Sequence, residues 1–207
     1  MTTRQWLAVF LIGGGLAAVS RPAAAELPGN PSHGQALFAS KQCGHCHKPR
    51  GQRALGPPLD ELRRRQGVLE LAGRLWNHAP AMLGVLEYEG ITWPEISTSE
   101  MGDLMAYLQA DYVLDQPPDL FAGQVTLVKV GCLKCHRLRG EGGSAGIELT
   151  EYHGGYESPV VWAASIWNHS PRMAKQAADM GILYPRFTGA EMANLYGYLR
   201  NVAEKPQ

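Results

Sequence analysis

Cys43-Gly44-His45-Cys46-His47 and Cys132-Leu133-Lys134-Cys135-His136 share the spacing C-x-x-C-H, and they hold all four cysteines of the chain. Two thiols separated by two residues match the vinyl groups along one edge of a porphyrin, and the next histidine then falls over the iron. A redox dithiol or half of a zinc site would explain one copy. A histidine directly after the second cysteine in both copies, with no cysteine to spare, points instead to two covalently attached haems.

The same chain repeats itself at a shift of about 90 residues, the scale of a duplicated structural unit. Gly34-Gln35 and Gly123-Gln124 each lie nine residues before the first cysteine. Arg50-Gly51 falls on Arg139-Gly140. Leu75-Trp76-Asn77-His78-Ala79-Pro80-Ala81-Met82 falls on Ile166-Trp167-Asn168-His169-Ser170-Pro171-Arg172-Met173, and Gly90-Ile91-Thr92-Trp93-Pro94 on Gly181-Ile182-Leu183-Tyr184-Pro185. Glu100-Met101 and Ala106-Tyr107-Leu108 match Glu191-Met192 and Gly197-Tyr198-Leu199. Two haem domains are therefore expected, residues 26–115 and 116–207, joined through 111–118, where Pro117 and Pro118 stop a helix and stiffen the join. Units of about 85 residues bury little apolar surface on their own, so a held cofactor is expected to complete each core.

The fold class is expected to be all-α, with three or four helices per repeat. Asn30 followed by Pro31 predicts a helix from about 31 to 41. Pro118 predicts the start of its counterpart, running to about Val130. Gly67 and Ser158-Pro159 open the middle helices. Ser97 with Glu100, and Thr188 with Glu191, are capping boxes for the last helices. Leu104, Tyr107 and Leu108, like Leu195, Tyr198 and Leu199, place an apolar stripe on each. No segment reads as a strand.

Residues 1–25 have the form of an export signal: Arg4, an apolar run from Trp6 to Val19, and Ala23-Ala24-Ala25 as a cleavage site. Cleavage after Ala25 and residence in the periplasm are expected, where covalent haem attachment takes place. No other stretch has the apolar length of a membrane span. The alternative is an uncleaved anchor. Without Arg4 and Arg21 the chain carries 17 basic and 19 acidic residues. That balance lacks the basic face a nucleic-acid binder needs. Residues 26–115 are net −3 and residues 116–207 net +1, a weak dipole that predicts different redox partners for the two halves.

The pattern resembles the small class I cytochrome c domain, present twice and covering nearly all of residues 26–207. The resemblance implies a haem motif after the first helix, a Gly-Pro buttress for the proximal histidine, a methionine on the far side of the iron and a last helix crossing the first. His47 and His136 are then the proximal ligands, bonded to haems held by Cys43, Cys46, Cys132 and Cys135. Gly56-Pro57-Pro58-Leu59 is the buttress of the first repeat. The second has Gly146-Ile147-Glu148-Leu149, without the proline. Met82 and Met173 are expected as sixth ligands, because each follows a proline that should loosen the middle helix and turn the methionine inward. His78 and His169 are the alternative ligands; otherwise they would bond a propionate or a freed carbonyl. Trp76 and Trp167 are expected to pack on the haem. Met101 and Met192 read as core residues, and Arg63-Arg64-Arg65 as a solvated charge run.

With both axial positions filled, the expected function is outer-sphere electron transfer. The implied partners are a donor dehydrogenase or quinol oxidiser and an acceptor oxidase or reductase. A dihaem peroxidase or thiol-oxidising dehydrogenase would need one open or labile haem, whereas the two distal segments here are nearly alike. A cytochrome subunit of a larger respiratory complex is the third reading.

Overall fold

The computed structural model describes residues 29–204; the expected export signal and its cleavage site lie outside them. The chain is mostly helical. Helix α1 (Pro31–Ser40) begins as its sequence predicts, with the Asn30 side chain accepting from the Ser32 and His33 amides at 2.9 and 3.2 Å. The first motif forms one helical turn of its own, α2 (Cys43–Cys46), after Gln42 takes a left-handed conformation. A second short turn follows as α3 (Leu59–Leu62).

The middle helix α4 (Val68–Glu89) starts after Gly67, which has no side chain to cap it. Asp115 does that work from the inter-repeat segment, its carboxylate accepting from the Leu69 amide at 3.0 Å. In α5 (Thr98–Tyr107) the capping box is closed: the Glu100 amide donates to Ser97 Oγ (3.3 Å) and the Ser97 amide to Glu100 Oε2 (2.8 Å).

The second repeat follows with α6 (Leu120–Lys129), α7 (Pro159–Asp179) and α8 (Glu191–Glu204). Helix α6 does not open at Pro118. Its cap is Asp119, whose side chain accepts from the Ala122 amide (2.9 Å), a stronger start signal than the proline before it. The second motif sits in a 3₁₀ turn, Cys132–Lys134. Strands were not expected, but β1 (Arg137–Leu138) and β2 (Glu141–Gly142) form a small antiparallel hairpin. Arg139 and Gly140 both have positive φ, 54° and 82°, the backbone of a tight hairpin turn. Two-residue strands are too short to leave a period-two pattern in sequence.

Within each repeat the first and last helices cross closely, α1 on α5 and α6 on α8. The repeated glycine makes this possible. A Cβ on Gly34 would lie 2.0 Å from the Asp103 carbonyl oxygen, and one on Gly123 2.1 Å from that of Asn194. Met101 and Met192 are core residues as expected, each 2% exposed.

The middle helices cross over. Helix α4 packs on α7 and on α8 of the second repeat, while α7 packs on α5 of the first. The buried apolar side chains of both repeats form one continuous cluster. The repeats are therefore not two self-contained units joined at 111–118; each middle helix helps complete the other half. Small repeats with little core of their own gain apolar burial by this exchange.

A paired clasp fixes the crossing. Trp76 Nε1 donates to the Pro185 carbonyl (2.8 Å), and Asn77 donates to the Phe187 carbonyl (2.6 Å) and accepts from its amide (2.8 Å). In the mirrored set, Trp167 Nε1 donates to Pro94 (2.8 Å), and Asn168 bonds the Ile96 carbonyl (2.8 Å) and amide (3.0 Å). The two tryptophans lie against aromatic rings of the opposite repeat, Trp76 on Tyr184 at 4.9 Å and Trp167 on Trp93 at 4.4 Å between centroids.

Candidate functional site

All four cysteines are free and half-buried. Burial pushes the Cys43 thiol up to about 11 and the Cys132 thiol to about 12. Thiols held protonated in this way are unlike the acidic cysteines of redox dithiols, whose reactivity depends on a lowered pKa. Zinc would need further donors converging with them. Among the described residues no group of three or more His, Cys, Asp or Glu side chains is placed to hold a metal ion. What the fold brings together is pairs of histidines.

His47 is fixed by a hydrogen bond from Nδ1 to the Pro57 carbonyl (3.1 Å). His136 makes the same bond to the Ile147 carbonyl, also 3.1 Å. The missing proline of the second repeat therefore costs no contact, because the acceptor is backbone. Glycine, by contrast, is required in both. A Cβ on Gly56 would stand 2.5 Å from His47 Cε1, and one on Gly146 2.5 Å from His136 Nδ1. Each of these rings thus lies in a cradle that any side chain would fill, with Nδ1 occupied by the backbone carbonyl.

Glu148 holds the second cradle in place. Its carboxylate accepts from the Arg139 and Gly140 amides (both 2.9 Å), the Thr150 amide (3.1 Å) and Thr150 Oγ1 (2.6 Å). Desolvation raises its pKa, but these bonds outweigh that and bring it down to about 2. Sequence reasoning missed this residue. Arg139 forms the turn that Glu148 secures. Its counterpart Arg50 pairs with Asp60 and Glu61, both at 2.9 Å.

The His47 and His136 rings each have a second imidazole as neighbour. The centroids of His47 and His78 are 6.2 Å apart with 54° between planes. Those of His136 and His169 are also 6.2 Å apart, at 60°. Burial holds His78, His136 and His169 below the usual histidine range, His169 down to about 4, helped by Arg172 and His136. A neutral imidazole is the form that binds metal. Among the described residues the His78 side chain has no hydrogen-bond partner. His169 has the exposed Arg172 guanidinium, which donates to Nδ1 at 3.1 Å.

Helices α4 and α7 do not loosen at Pro80 and Pro171; both run through them for 22 and 21 residues. Met82 and Met173 consequently sit one helical turn beyond the histidines, half-buried against the core. In the second repeat His136, His169, Cys132 and Met173 line one cavity of about 710 Å³. Its walls are mainly apolar, with Leu127, Trp162 and Leu199 among them, and Trp76 and Ile96 enter from the first repeat. The cavity thus brings one thiol of the motif, Cys132, together with two imidazoles 6.2 Å apart in a mainly apolar surround.

Trp76 and Trp167 spend their indole N–H groups on the opposite repeat. The charge run resolves into contacts on its own repeat: Arg63 lies 4.5 Å above the Tyr107 ring, Arg64 pairs with Glu70 and Arg65 with Asp111. Among the described residues no helix is long and apolar enough to cross a membrane. No family model, curated protein or solved structure matches the chain.

Proposed function

We propose that this chain is a dihaem c-type cytochrome of the periplasm, passing electrons between soluble or membrane-bound redox partners by outer-sphere transfer. One observation carries the reading: in both repeats the histidine of a C-x-x-C-H motif, its Nδ1 held by a backbone carbonyl, looks across 6.2 Å at a second imidazole. Two covalently held haems would supply reversible one-electron exchange between Fe(II) and Fe(III).

The chain's own residues have three tasks in this reading. Cys43, Cys46, Cys132 and Cys135 fix each porphyrin edge. The carbonyls of Pro57 and Ile147 hold the tautomer and the plane of the proximal ring, so that little moves when the charge changes. The apolar wall excludes water. A site closed on both axial faces has no position for a substrate, which favours a carrier over a peroxidase or thiol-oxidising dehydrogenase. Donor dehydrogenase or quinol oxidiser on one side and acceptor oxidase or reductase on the other remain the partner classes.

The test is expression of the full chain with export and haem-attachment machinery. Two covalent haems per chain by mass, retained on a denaturing gel, and uptake of two electrons in a reductive titration are expected. A chain that matures without covalent haem would overturn the proposal.

A further inference from the structure

We propose that His78 and His169, and not Met82 and Met173, occupy the sixth coordination positions, so that both irons are held by two imidazoles. The inference rests on the dihaem reading above and goes beyond it by assigning the distal ligands. The first argument is distance. An imidazole nitrogen binds a transition-metal ion at about 2 Å, and the ring centre lies about 1 Å further out, so two imidazoles on one ion have centroids about 6 Å apart. The chain holds both histidine pairs at 6.2 Å. The two values agree although the surrounding residues differ between repeats.

The second argument is the backbone. The methionine reading rests on the middle helix opening after the proline so that the side chain turns to the iron. Helices α4 and α7 stay closed through Glu89 and Asp179. Four residues along a helix amount to about 6 Å of rise. Met82 and Met173 therefore share a helix face with His78 and His169 but lie one turn further along it, half-buried against the core. The third argument is rigidity. The residues just before each histidine, Trp76-Asn77 and Trp167-Asn168, are pinned by three hydrogen bonds per clasp to the opposite repeat. A shift of either helix along its axis by one turn, which would put methionine where histidine stands, would break its clasp.

His78 is already free of competing bonds. At His169 the ring proton moves to Nδ1 when Nε2 takes the metal, so Arg172, which is exposed, has to release Nδ1. Two imidazoles also lack the sulfur that stabilises Fe(II), so both potentials lie below those of a His/Met pair in the same pocket.

The experiment uses the full-length holo-protein. Covalent haem is counted first by mass, and the oxidised protein is then examined by electron paramagnetic resonance and near-infrared magnetic circular dichroism. Two low-spin haems with bis-imidazole signatures and no sulfur-to-iron charge-transfer band are expected. Met82→Leu with Met173→Leu should leave the spectrum unchanged, while His78→Ala should turn half of the haem high-spin and able to bind carbon monoxide. Two haems showing the sulfur band, or a methionine variant that opens a site, would refute this assignment and leave the dihaem reading standing. A chain without covalent haem would remove both. The wild-type spectrum decides the matter even if His78→Ala does not fold.

Discussion

Replacing Asn168 by alanine tests whether the two repeats stand or fall together. Asn168 spans the crossing with one side chain, donating to the Ile96 carbonyl at 2.8 Å and accepting from its amide at 3.0 Å. Ile96 is 3% exposed, so water does not replace either bond. A hydrogen bond contributes about 1 kcal/mol net, and a buried group left without a partner costs about 1–3 kcal/mol, which gives a loss of about 2–4 kcal/mol for the pair. For a protein of this size each 1 kcal/mol lowers Tm by about 2–4 °C, so a fall of about 5–15 °C is expected. Calorimetry of the holo-protein measures it, alongside Asn77→Ala, which removes the mirrored pair at Phe187 and should cost a similar amount. Because both clasps close the same crossing, the double variant should lose less than the sum of the singles. A fall under about 2 °C, or a wild-type protein that melts in two separate steps of which only one moves, would refute the coupling.

Gly34→Ala and Gly123→Ala should each cost about 1–3 kcal/mol, since the new methyl would lie 2.0 or 2.1 Å from a carbonyl oxygen of the facing helix and the helices must part; denaturant midpoints check this. Gly146→Ala puts a carbon 2.5 Å from His136 Nδ1 and should lower haem incorporation in the second repeat alone, read by mass of the two proteolytic halves. Glu148 ties stability to pH: its folded pKa of about 2 lies below its ordinary value of 4.5, so its contribution is full above the ordinary value and is lost as pH falls towards 2. Glu148→Gln should flatten that part of an acid-unfolding curve, and an unchanged curve would count against the network.

Helix starts were legible where a cap and its partner lie close in sequence. Asn30 with Pro31, Ser97 with Glu100, and Ser158 with Pro159 all act where their spacing places them. Asp119 is masked by the proline before it, itself a helix-start signal, and the Asp115 cap of α4 is invisible in sequence because it comes from 46 residues away. The same separation explains the candidate site. His47 and His136 could be named from their own motifs, but the bond that orients each is made by a backbone carbonyl, which any residue offers. The doublets Trp76-Asn77 and Trp167-Asn168 were visible as a repeat. Their work was not, since their partners lie 72–110 residues away in the other half.

The proline at positions 80 and 171 shows how a sound local rule can mislead. It removes one amide from the helix and crowds the carbonyl four residues back, which in isolation favours a break. The residue four back is Trp76 in one repeat and Trp167 in the other, and each of these is anchored by its indole to the opposite half. Ser170 adds a side-chain bond to the Ile166 carbonyl at 2.5 Å. Tertiary anchoring at that turn holds the helix closed past the proline. The crossing that buries apolar surface of both repeats thus also fixes the turn that carries His78 and His169. Duplication made this possible, because two equivalent middle helices can each supply what the other repeat lacks.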